Sequence, residues 1–387
     1  TGVVNTTQPI INGIPRLSID VGWRAGSRVK AAADDLVGAM TKGRNLKADE
    51  ARLLDELYRE GVTQAQFAIE AKGKISGWGA RTLNYLNNAA GWFMSITERF
   101  NRGSLALAAY RLARDGHIKN EKTLNKYGLK KGQKADYETA MKFAEEVNAD
   151  ANFTYGKGNL PEWLRGRTKL LRAGYSLASF SHNLMQMWGW MLRQGGPGMR
   201  AFAMTILGMA IFGGLKSMPF ISPLVEAWRK NTGIDPVKAL RDILPDVMKD
   251  VVTYGAPAAV GVNIGGSLEI GNIDTANPAK FIIGVPWSLV EEPLRAKKAY
   301  ESGQTGRAVE EMMPTAIKNP MAAWRLHEQG QYSISGQPIN MPGQAGPRKI
   351  SALEAIGKAF GFQPVSSTKA RDVRESLDNL EEFIKSK

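Results

Sequence analysis

The sequence predicts a mainly α-helical protein, an extended multi-helix chain with an apolar helical hairpin and a loop-rich C-terminal third. Three observations support this fold class. Apolar side chains recur every three or four residues through much of residues 31–150. The same part of the chain has no alternating runs of β-branched residues, which would indicate strands. Two uncharged runs, 173–192 and 201–215, flank a turn rich in Gly and Pro.

The first segments are predicted from composition and periodicity. Residues 1–30 are rich in Gly, Pro, Asn and Thr and are interpreted as an extended arm. Residues 31–160 form the predicted N-terminal helical domain, whose apolar stripes include Leu36 to Met40 and Leu53 to Leu57. Because the chain begins at Thr1 with neither Met nor a signal peptide, we expect it to derive from a larger precursor or to be part of one.

Residues 161–222 are predicted to form the apolar hairpin. A spanning helix needs about 20 residues to cross a hydrocarbon core of roughly 30 Å, and residues 173–192 have that length. That run also holds polar groups such as His182 and Gln186, which are tolerated in a membrane only against a partner helix or a lumen. A bilayer element and a hairpin buried in a soluble complex therefore stay equal alternatives. The apolar side chains expected to carry membrane or assembly contacts are Phe180, Met187, Trp188, Trp190, Phe202, Leu207, Ile211 and Phe212.

Basic residues stand at the ends of this hairpin. The net charge of +14, from 51 basic and 37 acidic residues, favours a polyanionic partner. The cluster before and between the apolar runs is interpreted as contacting DNA phosphates or lipid headgroups, with equal weight. Its members are Arg165, Arg167, Lys169, Arg172, Arg193 and Arg200.

Residues 223–387 are predicted to be helical and loop-rich. Helices are expected over 226–229 and 236–253, and loops dominate 301–349. A Gly-rich stretch over 256–271 lacks the Lys-Ser/Thr of a phosphate-binding loop and is interpreted as a packing element. A last helix over 367–385 carries a narrow apolar seam that favours either self-association or packing on its own domain.

Several kinds of chemistry find no support in the sequence. The absence of cysteine excludes disulfides and thiolate sites, and the three histidines, His117, His182 and His327, are far apart. We therefore expect no metal site, no cofactor and no catalytic residues. An isolated Glu-Ser pair occurs at Glu301 and again at Glu375, and such a pair is too common to identify a catalytic acid.

An ordered series of short motifs carries a resemblance to a known family. The motifs are Glu98-Arg99-Phe100-Asn101-Arg102, Ala108-Ala109-Tyr110, Phe153-Thr154-Tyr155, Asn159-Leu160-Pro161, Arg165-Gly166, Ser179-Phe180-Ser181-His182-Asn183, Gly261-Val262-Asn263-Ile264-Gly265-Gly266-Ser267-Leu268, Asn319-Pro320-Met321-Ala322-Ala323 and Ala359-Phe360-Gly361-Phe362-Gln363-Pro364. In this order they resemble the C-terminal part of the giant polyvalent, or internal virion, proteins of tailed bacteriophages. The Pro-Leu-x-Arg-Phe-Gly string that names one branch of this family is absent from the chain.

The resemblance implies a non-enzymatic, multicopy structural component of the core or conduit that delivers the phage genome across the host envelope. The implied location is the virion interior, followed by the host cell envelope. The implied partners are other copies of the chain, other ejection and core proteins, the portal, double-stranded DNA and the host membrane. Two alternatives remain: a cell-wall hydrolase segment of the lytic transglycosylase type, with Glu301 or Glu375 as its acid, and a cellular membrane-anchored scaffold.

Overall fold

The structure, a computed structural model, describes residues 7–63, 80–152, 183–218, 221–234, 236–265, 293–313, 315–340, 346–371, 373 and 384. The chain divides into two compact units. Unit 1 comprises Thr1–Arg172 and Ser176–Gly208, and unit 2 comprises Ala173–Tyr175 and Met209–Lys387. Regular structure in the described ranges is helical, apart from one short two-stranded ladder and one isolated bridge. The prediction of a mainly α protein is confirmed.

The beginning of unit 1 is helical rather than extended. A π-helical turn over Pro9–Gly13 leads into α1 (Ile14–Val21) and α2 (Arg24–Lys42), so the predicted arm over 1–30 is wrong for residues 7–30. Each of the first two elements carries a proline in its opening turn, where the missing N–H leaves no hydrogen bond unmade. Leu17 and Val21 are fully buried, and their burial stabilises a segment whose composition is typical of loops.

One long helix organises the rest of unit 1. The remaining helices up to residue 152 are α3 (Ala48–Arg59), α4 (Ala80–Arg114), α5 (Glu121–Lys126) and α6 (Tyr137–Asn152). The C-terminal part of α4 packs against both α2 and α6. Residues 104–110 of α4 are buried without interruption, as expected for a helix enclosed on all sides.

Three buried or partly buried arginines in unit 1 are paired with carboxylates. Arg16, only 3% exposed, contacts Asp20 and Asp150, the latter at 2.7 Å. Arg102 contacts Glu98 and donates to two backbone carbonyls, and Arg111 makes a bidentate pair with Glu50. Because an unpaired buried charge is very costly, these pairs fix the helices that carry them.

Two helices on either side of a glycine turn represent the described part of the predicted hairpin. Helix α7 covers residues 183–193, a turn follows at Gln194 and Gly195, and α8 covers Gly196–Gly213. A Cβ on Gly198 would lie 1.7 Å from the carbonyl oxygen of Met191, so the two helices meet closely beside the turn. Residues 173–182 of the first apolar run lie outside the described residues. None of the helices in the described ranges is both long enough and apolar enough to cross a bilayer, and the predicted spanning hairpin is not confirmed.

Unit 2 begins with short helices and a glycine contact. After α8 and a 3₁₀ turn come α9 (Ile221–Thr232), α10 (Pro236–Ile243) and α11 (Asp246–Tyr254). The single helix predicted over 236–253 is interrupted at Pro245, whose extended backbone precedes α11. Gly214 and Gly255 both have positive φ, and a Cβ on Gly214 would lie 2.3 Å from the carbonyl oxygen of Thr253. Only glycine fits such a close backbone approach.

The second half of unit 2 contains the remaining elements. Strand β1 (Val262–Asn263) pairs antiparallel with β2 (Gln363–Pro364). The helices are α12 (residues 293–301), α13 (Thr305–Met312), α14 (Thr315–Glu328), α15 (Ala352–Ala359) and α16, which begins at residue 365. In the Gly-rich stretch, a Cβ on Gly261 would lie 2.7 Å from Cγ of Glu354 on α15, so this glycine permits close packing. Part of the predicted terminal seam, Leu377 and Leu380, lies outside the described residues.

Candidate functional site

A cleft in unit 2 lies among α13, α14 and the loop after α14, and has a volume of about 930 Å³. This volume is within the range of sites that hold small molecules or cofactors, roughly 300–1,000 Å³. Its lining combines arginines, amides and hydroxyls with an apolar wall. The residues that line it are Ser302, Gly303, Gln304, Thr305, Gly306, Arg307, Glu310, Pro320, Met321, Trp324, Arg325, Gln329, Tyr332 and Gly336.

One wall of the cleft is a loop held by side-chain donors from the start of α13 and the residues before it. Ser302 Oγ donates to the carbonyl oxygen of Ile334 at 2.7 Å, and Gln304 Nε2 donates to the carbonyls of Ser333 and Ile334 at 3.0 Å each. Arg307 Nη1 donates to Tyr332 O at 2.7 Å and to Ser333 O at 2.9 Å. These bonds satisfy loop carbonyls that would otherwise need water, and they fix the shape of the wall.

A buried ion pair lies in the cleft and connects α13 with α14. Arg325 donates from Nε to Glu310 Oε2 at 2.7 Å and from Nη2 to Oε1 at 2.9 Å, the bidentate geometry preferred by guanidinium and carboxylate. Glu310 is only 4% exposed. Its carboxylate is therefore engaged by Arg325 and is not a free acid or base.

Arg307 differs from Arg325 because its charge is not neutralised. Within the described parts of the chain, no carboxylate lies within ion-pair distance of Arg307, and its Nε is buried without an acceptor. Burial, followed by the positive charge of nearby Arg325, lowers the pKa of Arg307 from its ordinary value. Arginine nevertheless keeps its proton in proteins, so Arg307 contributes a positive charge with which no carboxylate of the described residues pairs directly.

Part of the lining of the cleft is apolar and aromatic. Trp324 lies on α14 and is 63% exposed, beside Met321 and Pro320 of the same helix. Tryptophan side chains are usually largely buried, and a tryptophan that is exposed in a cleft is typical of a ligand contact. The cleft thus offers a cation and a flat apolar surface to one ligand.

The lining of the cleft consists mainly of groups that can bind and orient a ligand. In the described parts of the chain, no group of three or more His, Cys, Asp or Glu side chains is placed to hold a metal ion. Among the described residues of the lining, the carboxylate is that of Glu310, which Arg325 already engages. Arginine, amide and hydroxyl groups can orient a ligand and neutralise its charge without breaking bonds.

The predicted DNA or headgroup cluster is only partly described. Arg193 is exposed at the end of α7. Arg200 on α8 donates to the carbonyl oxygen of Ser18 at 3.1 Å and lies 5.7 Å from the ring centre of Trp23, so its guanidinium is engaged within unit 1. The other four members, Arg165, Arg167, Lys169 and Arg172, lie outside the described residues, and the cluster stays a prediction.

The apolar hairpin residues fall into two groups. Met187 and Trp188 are buried in unit 1, Trp188 packs edge-on against Phe202 with ring centres 5.6 Å apart, and Arg16 lies 4.6 Å from the ring centre of Trp190. These three side chains, expected to carry membrane or assembly contacts, therefore have contacts within unit 1.

The second group lies along α8 and faces outward. Leu207 is 59% and Ile211 is 49% exposed, whereas Phe212 is half-buried. Phe180 lies outside the described residues. Among the described residues of the predicted set, Leu207 and Ile211 therefore have the exposure needed for contact with a membrane or a partner.

The structure also places large apolar side chains on the surface of α9–α11. We call this set the α9–α11 apolar surface, and it consists of Leu224, Trp228, Ile234, Leu240, Ile243 and Met248. Sequence reasoning missed it because an amphipathic stripe predicts a helix with an apolar face but not what covers that face. The short α10, with Val237, Leu240 and Ile243 spaced three apart, carries the pattern that could have indicated it.

The hydrolase alternative relies on Glu301 or Glu375. Glu301 is exposed at the end of α12 and lies 3.7 Å from Lys297, one helical turn earlier. A glycosidase acid commonly lies in an apolar pocket, whereas the side chain of Glu301 is exposed to solvent. Glu375 lies outside the described residues.

Comparison of the chain with models of protein families, with curated proteins and with solved structures finds no match to any of them.

Proposed function

We propose that the protein is an internal virion protein of a tailed bacteriophage, present in several copies and acting in the core or conduit that delivers the genome. The observation that carries the proposal is the α9–α11 apolar surface. Five exposed large apolar side chains on three consecutive helices, together with Ile234 between α9 and α10, are typical of a surface that is covered in an assembly. The ordered motifs and the net charge of +14 give further support.

The partners in this proposal are other copies of the chain, other ejection and core proteins, the portal, double-stranded DNA and the host membrane. The excess of basic residues suits both the packaged genome and an anionic membrane surface. The location proposed is the capsid interior, followed by the host envelope.

Mass spectrometry of purified virions tests the proposal directly. We expect peptides from both units at a stoichiometry of several copies per particle, and these peptides should disappear from the particle after ejection is triggered. The absence of these peptides from virions of the phage that encodes the chain would overturn the proposal.

Membrane contact by α8 is the part of the proposal that a variant can test. Full-length protein should make anionic liposomes leak a trapped dye, and Leu207→Asp with Ile211→Asp should abolish the leakage. A charge placed at a bilayer centre costs about 2.5–3.5 kcal/mol. Both positions are exposed, so the double variant should fold normally. Met199→Asp, an exposed position nearer the start of α8, is the control, and leakage unchanged in the double variant would exclude α8 as the membrane element.

The lytic transglycosylase alternative has its own test. The full chain is applied to a peptidoglycan zymogram together with Glu301→Gln and Glu375→Gln variants. The proposal of a structural protein predicts no clearing by any of the three. Clearing by the parent chain that one variant removes would favour the enzyme instead.

A further inference from the structure

We propose that the cleft among α13, α14 and the loop over 329–340 binds a nucleoside phosphate, with the phosphate at Arg307 and the base against Trp324. This inference goes beyond the proposed virion role and does not depend on it. The observations that support it are the positive charge of the cleft, the exposed ring of Trp324 and the hydrogen bonds that hold the loop over 331–337.

The charge in the cleft favours an anion. The lining contains the two guanidinium groups of Arg307 and Arg325 and the single carboxylate of Glu310. Since Arg325 engages both oxygens of Glu310, the charge left over belongs to Arg307. A partly buried guanidinium that lacks a carboxylate gains most from an incoming oxyanion, because desolvation strengthens the new interaction.

The second ionised pair near the cleft strengthens the same conclusion. Glu311, the next residue of α13, is buried and contacts Lys318 at 2.7 Å. The acidic groups on α13 are therefore each engaged by a cation of α14, and neither is available to Arg307. A cationic ligand would find no free carboxylate in the lining, whereas an anionic ligand finds Arg307.

The apolar wall favours a flat ring on the anion. Trp324 exposes 63% of its surface, and a planar aromatic side chain in a cleft provides a stacking platform. Stacking of a base on an aromatic side chain contributes about 1–3 kcal/mol and does not require a particular sequence. An inorganic anion alone would leave this platform unused.

The loop over 331–337 gives the site its fixed shape. Three side chains from one end of α13, those of Ser302, Gln304 and Arg307, donate to successive carbonyls of Tyr332, Ser333 and Ile334. The loop itself closes with Ser333 N donating to Gln337 O at 2.7 Å and with Gly336 at a φ of 82°. Gln304 and Arg307 are thus held in place before a ligand arrives, which reduces the entropy lost on binding.

Calorimetric titration of the full chain tests the assignment. The probes are thymidine 5′-monophosphate, thymidine, inorganic phosphate and a four-residue oligothymidylate. We expect the monophosphate to bind at least tenfold more tightly than either thymidine or phosphate alone, because only the monophosphate occupies both parts of the cleft. Equal affinities for the monophosphate and for thymidine would overturn the assignment, as would no measurable binding of the monophosphate at millimolar concentration.

Two variants test the two parts separately. Trp324→Ala should weaken binding of the monophosphate about tenfold, which is within the range for loss of one stacked base. The same variant should leave binding of inorganic phosphate unchanged. Arg307→Gln should remove the difference between monophosphate and thymidine. Since Arg307 also holds the loop, Arg307→Lys is measured beside it: it keeps the charge and should restore part of that difference even if the loop is loosened.

Matched controls and the oligonucleotide complete the design. Trp23→Ala and Arg59→Gln remove an exposed tryptophan and an exposed arginine outside the cleft and should leave all affinities unchanged. Tighter binding of the oligothymidylate than of the monophosphate would identify the ligand as single-stranded DNA. Equal binding of the two would identify it as a free nucleotide. A Trp324→Ala protein with unchanged affinity for the monophosphate would overturn the proposal whichever source is favoured.

Discussion

The two units use apolar side chains in opposite ways. In unit 1, 24 buried residues from Leu17 to Ala151 form one continuous core around α4. In unit 2, a buried cluster among the described residues consists of Tyr254, Ala258 and Val365, while the α9–α11 apolar surface is exposed. The difference teaches that amphipathic helices of similar composition make a core only where a long helix gives them a common surface. Where the helices are short, their apolar faces are left for a partner.

The first way to sharpen this comparison is to break a buried ion pair of unit 1. Arg16→Met leaves Asp20 and Asp150 without their cation, and we expect unfolding to become about 3–5 kcal/mol more favourable. Chemical denaturation followed by circular dichroism measures the change. Arg59→Met is the control, because Arg59 pairs with Asp55 at the exposed end of α3 and such surface pairs contribute about 0–1 kcal/mol. Equal effects of the two variants would show that the Arg16 pairs do not stabilise the unit.

The second test compares a core leucine with an exposed one. Leu107→Ala in α4 removes a fully buried side chain and should destabilise the protein by about 2–5 kcal/mol, since the cavity cannot close completely. Leu353→Ala in α15 of unit 2 changes an exposed side chain and should cost less than about 0.5 kcal/mol. The measurement is again the free energy of unfolding. A Leu353→Ala effect as large as that of Leu107→Ala would mean that α15 is covered in solution.

The third test concerns pH. Burial and the hydrogen bond to Glu56 raise the pKa of Tyr137 to about 12. A raised pKa in the folded state stabilises the protein below the unfolded value of about 10, and this contribution is lost as the pH rises from about 10 to about 12. We therefore expect the stability of the Tyr137→Phe variant to fall less than that of the parent chain as the pH rises from about 10 to about 12. Thermal melts of both proteins at pH 9 and pH 11 give the comparison, and parallel curves would refute it.

The fourth test has the smallest effect on stability and addresses the surface of unit 2. Trp228→Ser with Ile243→Ser should change the free energy of unfolding by less than about 0.5 kcal/mol, because both side chains are already exposed. The same double variant should reduce the molar mass measured by light scattering at high protein concentration. A large loss of stability, or an unchanged molar mass where the parent chain self-associates, would contradict the interpretation of this surface as one that a partner covers.

Much of the helical fold of unit 1 follows from the sequence. The stripes around Leu36 and Leu53 predict helices that the structure contains, because their period of 3.6 residues matches a buried face. The helices at the beginning of unit 1 were not predicted because Gly, Pro and Asn at 2–15 indicate loops locally. Tertiary burial of Leu17 and Val21 instead decides the local structure.

The cleft was not predictable in the same way. Its wall depends on side chains at 302–307 donating to backbone carbonyls about 30 residues later, and carbonyls carry no sequence pattern. The residues that distinguish it, Arg307 and Trp324, look like ordinary helix positions until α13 and α14 bring them to one cleft. The pairing that leaves Arg307 alone, Arg325 with Glu310, spans 15 residues and is likewise a tertiary property.

The contact between Arg16 and Asp150 also constrains the order of events during synthesis. The two residues are 134 positions apart, and ribosomes add about 5–20 residues per second, so Arg16 emerges about 7–27 s before its partner. Throughout that interval Asp150 is not yet available, and Asp20, one turn away, is the carboxylate within reach of Arg16. The ion pair that joins α1 to α6 therefore forms only after α6 has left the ribosome.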